Sequence, residues 1–174
     1  MRHFIPFAAL LVLTACGSND GTTTVTTSDG DEVKIKSDTD GNSESGTITF
    51  EGKDGEGKIT FGDAAAKEGL PLGLPVYPGG EVKGAFMGGS DKDGSAGGMA
   101  TVITKDTPAK IVAFYKNEAE KRGMKIESQA TSSSSTSNMV SFTAKGGNDS
   151  SVIVTATPNE DGGTAAVIIG GEKK

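Results

Sequence analysis

The chain has 174 residues, 34% hydrophobic, 5% aromatic and 23% charged, with a formal net charge of −6, 26 glycines and no tryptophan. Its one histidine, His3, and its one cysteine, Cys16, both lie in the first sixteen residues, so the rest of the chain cannot supply an imidazole base, a thiolate nucleophile, or the His and Cys ligands of zinc, copper and haem sites. The acidic balance argues against nucleic acid and anionic lipid headgroups as partners, since both would repel it.

Met1-Arg-His3 is a short basic lead, Phe4 to Val12 is an apolar run, and Leu13-Thr14-Ala15-Cys16 closes it with small residues before a cysteine. The run is too short for a transmembrane helix, which needs roughly 20 apolar residues. Over this tenth of the chain the sequence resembles a bacterial lipoprotein signal. The resemblance implies cleavage of residues 1–15, lipidation of the Cys16 thiol and acylation of the freed amine. Two or more acyl chains make a stable membrane anchor where one is reversible. Gly17, where an aspartate often marks inner-membrane retention in that family, implies the outer membrane, facing the periplasm. Arg2 leaves with the signal, giving 16 Lys and Arg against 23 Asp and Glu, a formal charge of −7.

Residues 16–28 are small, polar and Thr-rich, a composition that cannot bury enough surface to order itself, and are expected to be a flexible lipidated tether. Residues 29–62 carry three short alternating segments, Val33/Ile35, Ile48/Phe50 and Ile59/Phe61, separated by Asp, Gly and Ser turns. They predict a one-sided β-meander whose last two strands form a hairpin. Residues 63–80, with three prolines and Pro78-Gly79, are expected to be an extended linker.

Residues 81–174 predict strand, strand, helix, then further strands. In the helix, Thr107 is placed to cap with its hydroxyl, Pro108 suits the first turn and Gly123 the left-handed stop. Ile111, Tyr115 and Ala119 form one stripe, widened by Val112 and Phe114. Short connections give the fold class α+β: an antiparallel sheet with one helix packed on one face, preceded by a short N-terminal β-meander. The order of the Tyr-Pro-Gly segment, a strand pair and a Thr-Pro helix also resembles small exported bacterial domains, a likeness that transfers no site residue. Val152-Ile-Val154 and Ala165-Ala-Val-Ile-Ile169 are apolar at consecutive positions, so both faces of these strands want burial. The simplest expectation lays the meander over the face the helix leaves bare, burying Val33, Ile35, Ile48, Phe50, Ile59 and Phe61 in one joined core. The competing solution leaves that face for a partner or a second copy.

No catalytic, cofactor-binding or metal-ligating residue stands out; Cys16 is the one functional position, as the lipid anchor. Gly89-Ser-Asp-Lys-Asp-Gly94 has phosphate-loop spacing but lacks the Lys and the Ser/Thr such a loop needs. Asp29 to Glu32, residues 38–44 and Asp91-Lys-Asp93 have alternating oxygen ligands without the rest of a calcium loop. The functional expectation is a lipid-anchored, non-catalytic cell-envelope protein with no cofactor, binding a protein or cell-wall partner. The alternatives are a carboxylate-based periplasmic hydrolase and a weak calcium-binding surface protein.

Overall fold

A computed structural model describes residues 22–26, 31–39, 45–90, 92, 94–133 and 138–173. Ten strands form one antiparallel sheet: β1 Thr22–Thr26, β2 Glu32–Thr39, β3 Gly46–Gly52, β4 Gly55–Phe61, β5 Glu81–Ser90, β6 Ser95–Thr104, β7 Lys125–Ser133, β8 Asn138–Lys145, β9 Ser151–Pro158 and β10 Thr164–Lys173. Two helices, α1 Asp63–Glu68 and α2 Pro108–Lys121, and a 3-10 turn Pro71–Gly73 complete it. The strand order is β1-β2-β3-β4-β5-β6-β10-β9-β8-β7.

This corrects the expected fold class, because the molecule is largely a single open sheet, more all-β than α+β, and the meander is part of that sheet. β4 pairs with β5 from Gly55↔Ser90 to Phe61↔Gly84. The meander therefore extends the sheet sideways and does not cover its bare face. An alternating strand shows which of its faces is apolar; it does not show whether its backbone will pair with a neighbour or its side chains will stack on one. The hairpin of β3 and β4 forms as expected, with Ile48 opposite Ile59 and Lys53-Asp54 in its turn. Within the stretch expected to be tether, Thr22–Thr26 pairs with β2, and within the expected linker Asp63–Glu68 is helical.

The described helices and the 3-10 turn contact strands through the face that carries the core. α2 lies against β7 to β10, α1 against β3 to β5, and the 3-10 turn against β6 and β10. Ile111, Val112, Tyr115 and Ala119 of α2 are buried among Phe142, Ala144, Val152, Val154, Ala156 and Ile168. Leu70, Leu74 and Tyr77 continue this core toward Val82, Ala85, Ala100 and Val102.

α2 ends as its sequence dictates: Gly123 is left-handed at φ 75°, its N–H donates to the Glu120 carbonyl, and the Met124 N–H donates to that of Ala119. At the start the expectation fails in one detail. Thr107 is the N-cap, but its hydroxyl makes no capping bond; its carbonyl accepts from the Lys110 and Ile111 N–H groups. Arg122 reaches back to donate to the Gly73 carbonyl at 2.9 Å, tying the helix end to the 3-10 turn.

Candidate functional site

In an antiparallel sheet residues directly opposite one another share a face, as do alternate residues along a strand. The side of the sheet away from the helices can therefore be read from the register. Ile48 of β3 faces Ile59 of β4, which faces Phe86 of β5; Phe86 faces Met99 of β6, Met99 faces Ile169 of β10, and Ile169 faces Ile153 of β9. One unbroken apolar row thus crosses six neighbouring strands. Five of its members are the exposed large hydrophobic residues of the described chain: Ile59 at 37%, Phe86 and Ile153 at 42%, Met99 at 45% and Ile169 at 46%.

A second row runs beside it, two residues along each strand: Phe50, Gly57, Gly88, Gly97 and Gly171. A Cβ added at Gly57 or Gly88 would meet the Phe86 ring at 3.3 and 3.2 Å, so that ring leans across both glycines. A Cβ at Gly97 or Gly171 would meet only neighbouring backbone. The face is therefore a ridge of large apolar side chains beside a glycine trough, and neither row carries a charge. Where the trough meets β2, a cavity of about 480 Å³ opens between Val33, Phe50, Gly57 and Phe86, with Asp31, Lys53, Asp54 and Glu56 at its rim. Lys53 bonds Asp31 at 2.6 Å and Lys92 pairs with Asp54, so three of the four rim charges are paired.

Phe86, one of seven aromatic residues outside the signal segment, lies outside the core. The six meander side chains expected to fill a joined core are all at least partly exposed. The signal for this face was the run of consecutive apolar residues in β9 and β10. Its extension through Met99, Phe86 and Ile59 depends on strand register, which the sequence does not display.

A polar cluster lies at the end of the sheet where β6 leads into α2. The Tyr77 hydroxyl donates to the Asp106 carboxylate at 2.9 Å and the Lys110 ammonium donates to it at 2.7 Å. The Thr164 hydroxyl donates to the Asp106 carbonyl at 2.6 Å. Lys110 first, then Tyr77, holds the Asp106 carboxyl below its ordinary range. Behind it the Tyr115 hydroxyl accepts the Tyr77 N–H at 3.2 Å, and burial pushes the Tyr115 phenol up to about 12. Tyr77, Phe114 and Tyr115 meet edge to face with centroids 5.2 and 5.1 Å apart. A cavity of about 630 Å³ beside the cluster is lined by Glu81, Asp106, Asn159 and Asp161 among others. A glycosidase-type pair needs one carboxyl held protonated as general acid, a role the lowered Asp106 does not fill. We read this cluster as the joint that fixes α2 to the sheet.

Cys16 lies outside the described residues, as do Asp29, Asp91, Asp93 and residues 40–44 of the candidate calcium segment. Asp38 sits in β2 opposite Thr47. Among the described residues no three or more Cys, His, Asp or Glu side chains are grouped to hold a metal, and no helix is long and apolar enough to cross a membrane.

Residues 83–163 match the model of a family described as START domain-like. The match runs from β5 through β9 and includes α2, just under half of the chain; β1 to β4 and β10 lie outside it. No curated protein and no solved structure matches the chain.

Proposed function

We propose that this is a lipid-anchored, non-catalytic protein of the bacterial cell envelope that works by binding another protein through the open face of its sheet. The observation that carries the reading is the exposed row Ile59, Phe86, Met99, Ile169 and Ile153. Contiguous apolar surface of this kind marks interaction sites, whereas scattered exposed hydrophobics do not. The central row offers no hydrogen-bonding side chain to a cell-wall glycan, which favours a protein over a saccharide. The attachment is supported by Leu13-Thr14-Ala15-Cys16 following an apolar run, and on this reading Cys16 carries the lipid at the periplasmic side of the outer membrane.

Two measurements test the proposal. Cys16→Ser is expected to leave the membrane fraction; a variant that is processed and still fractionates with membranes defeats the anchor. A photo-crosslinking residue placed at Met99 in intact cells is expected to capture protein, while the same residue at the exposed Asn117 of α2 is not. Equal capture at both positions, or none at Met99, defeats the binding face.

A further inference from the structure

The open face has a shape and a charge state that point to one occupant in particular. Its ridge and its glycine trough lie side by side, offset by two residues along every strand. Turned over about a two-fold axis, a second face of the same kind brings its ridge onto the first one's trough and the reverse. The same patch then serves both partners, the condition for an isologous interface. The trough is clear for this where it is crossed by β6 and β10, since Gly97 and Gly171 have only backbone beside them.

Electrostatics confines such a contact to this face. The chain carries 23 acidic against 17 basic residues, so two copies repel at most approaches. The uncharged ridge and trough are the surface through which they can meet, and a basic partner finds no acidic group in either row to recognise. The size suits a modest contact. Six strands at about 4.8 Å spacing give a field of about 24 Å across. With the ridge, the trough and the flanking row of Gly84, Thr101 and Val167, it is about 20 Å deep including side chains. That is a flat footprint of about 480 Å² per partner, about 960 Å² for the pair, at the small end of specific interfaces. Two sheets facing each other at about 10 Å would form a sandwich, the ordinary way for an apolar sheet face to be buried. Copies anchored in one membrane would also meet at a raised effective concentration.

We infer that the partner is a second copy of this chain, docked face to face through the row centred on Met99. This rests on the reading of the open face as a binding surface. The test keeps the full chain in its membrane and reads the mass of the adduct captured by the photo-crosslinking residue at Met99. An adduct of twice the chain's mass, containing only this sequence, is the expected result. An adduct with a different protein overturns the dimer while leaving the proposed function standing, and no adduct overturns both. Independently, the full-length protein in mild detergent should sediment as a dimer, and Met99→Asp with Ile153→Asp, which are not paired with each other in the sheet, should weaken association by about 100-fold or more, because facing carboxylates would be brought together without counter-charge. Both side chains are nearly half exposed, so the far-UV circular dichroism should be unchanged. A wild-type monomer, or a double variant that remains dimeric, overturns the inference.

Discussion

Asp106 lies between β6 and α2 and is bound on three sides: by Lys110 one helical turn ahead, by Tyr77 from the segment before β5, and through its carbonyl by Thr164 of β10. Its carboxyl is held below the ordinary value of 3.8, by the Lys110 hydrogen bond first and the Tyr77 hydroxyl second. A carboxylate with a depressed folded-state pKa stabilises fully above the unfolded value, and the contribution is lost as pH falls through the folded one. Lys110 is raised by Asp106, so the partner's share is present below 10.5 and fades as pH rises beyond it. Asp106→Asn should therefore lower Tm by a few degrees at neutral pH. The deficit should shrink on acidification from about pH 4 toward pH 2 and again above about pH 11. A deficit that stays constant across both limbs in thermal melts would show that the carboxylate's charge plays no part. The sequence offers only the i,i+4 neighbour Lys110; the other two partners lie 29 and 58 positions away, and only the folded sheet brings them together.

At the scale of elements, local signals were readable and neighbour relations were not. Thr107-Pro108 and Gly123 bracket α2 because both ends of a helix have backbone requirements that few residues meet. Gly123 has open space where a Cβ would stand, so Gly123→Ala would meet only the backbone penalty of a left-handed alanine. It is expected to cost about 1 kcal/mol and to lower Tm by roughly 2–4 °C. A larger loss in thermal melts would mean that the turn into β7 has shifted as well. The strands β5 to β10 were legible as segments holding Val, Ile, Thr, Phe and Met between Gly-, Asp- and Ser-rich turns. β1 was not, since Thr22–Thr26 has one large apolar residue and is ordered by pairing with β2. α1 was hidden in a Pro- and Gly-rich stretch. Its Ala64-Ala-Ala66 favours helix, but only Ala65 is buried, too small a stripe to show as periodicity. It is held by the Ser45 hydroxyl, which accepts the Ala64 N–H at 2.9 Å, and by Glu68 pairing with Lys58 of β4 at 2.5 Å.

For the whole molecule, the two faces of the sheet have unequal work. Every buried apolar side chain among the described residues lies between Ala65 and Ile168. The meander adds to that face only Ser45 and Thr60 as buried residues. Its large side chains all lie on the face away from the helices or at its margins, so it widens the open surface without enlarging the core. A chain beginning at residue 62 should therefore keep the core beneath α2 and the 3-10 turn and the α2 joint, losing the ties of α1 to Ser45 and Lys58, and its Tm should fall by less than about 10 °C, in proportion to the small apolar area removed. The larger consequence is at β5. Gly84 to Ser90 now pair with β4, and without it their backbone N–H and C=O groups would form a bare edge that invites pairing with another chain. The shortened protein is expected to self-associate more strongly with rising concentration than the full chain, and Met87→Lys on the new edge should reverse this. If the shortened chain instead melts far below the full one and stays monomeric, the meander supports the core in a way its burial does not reveal.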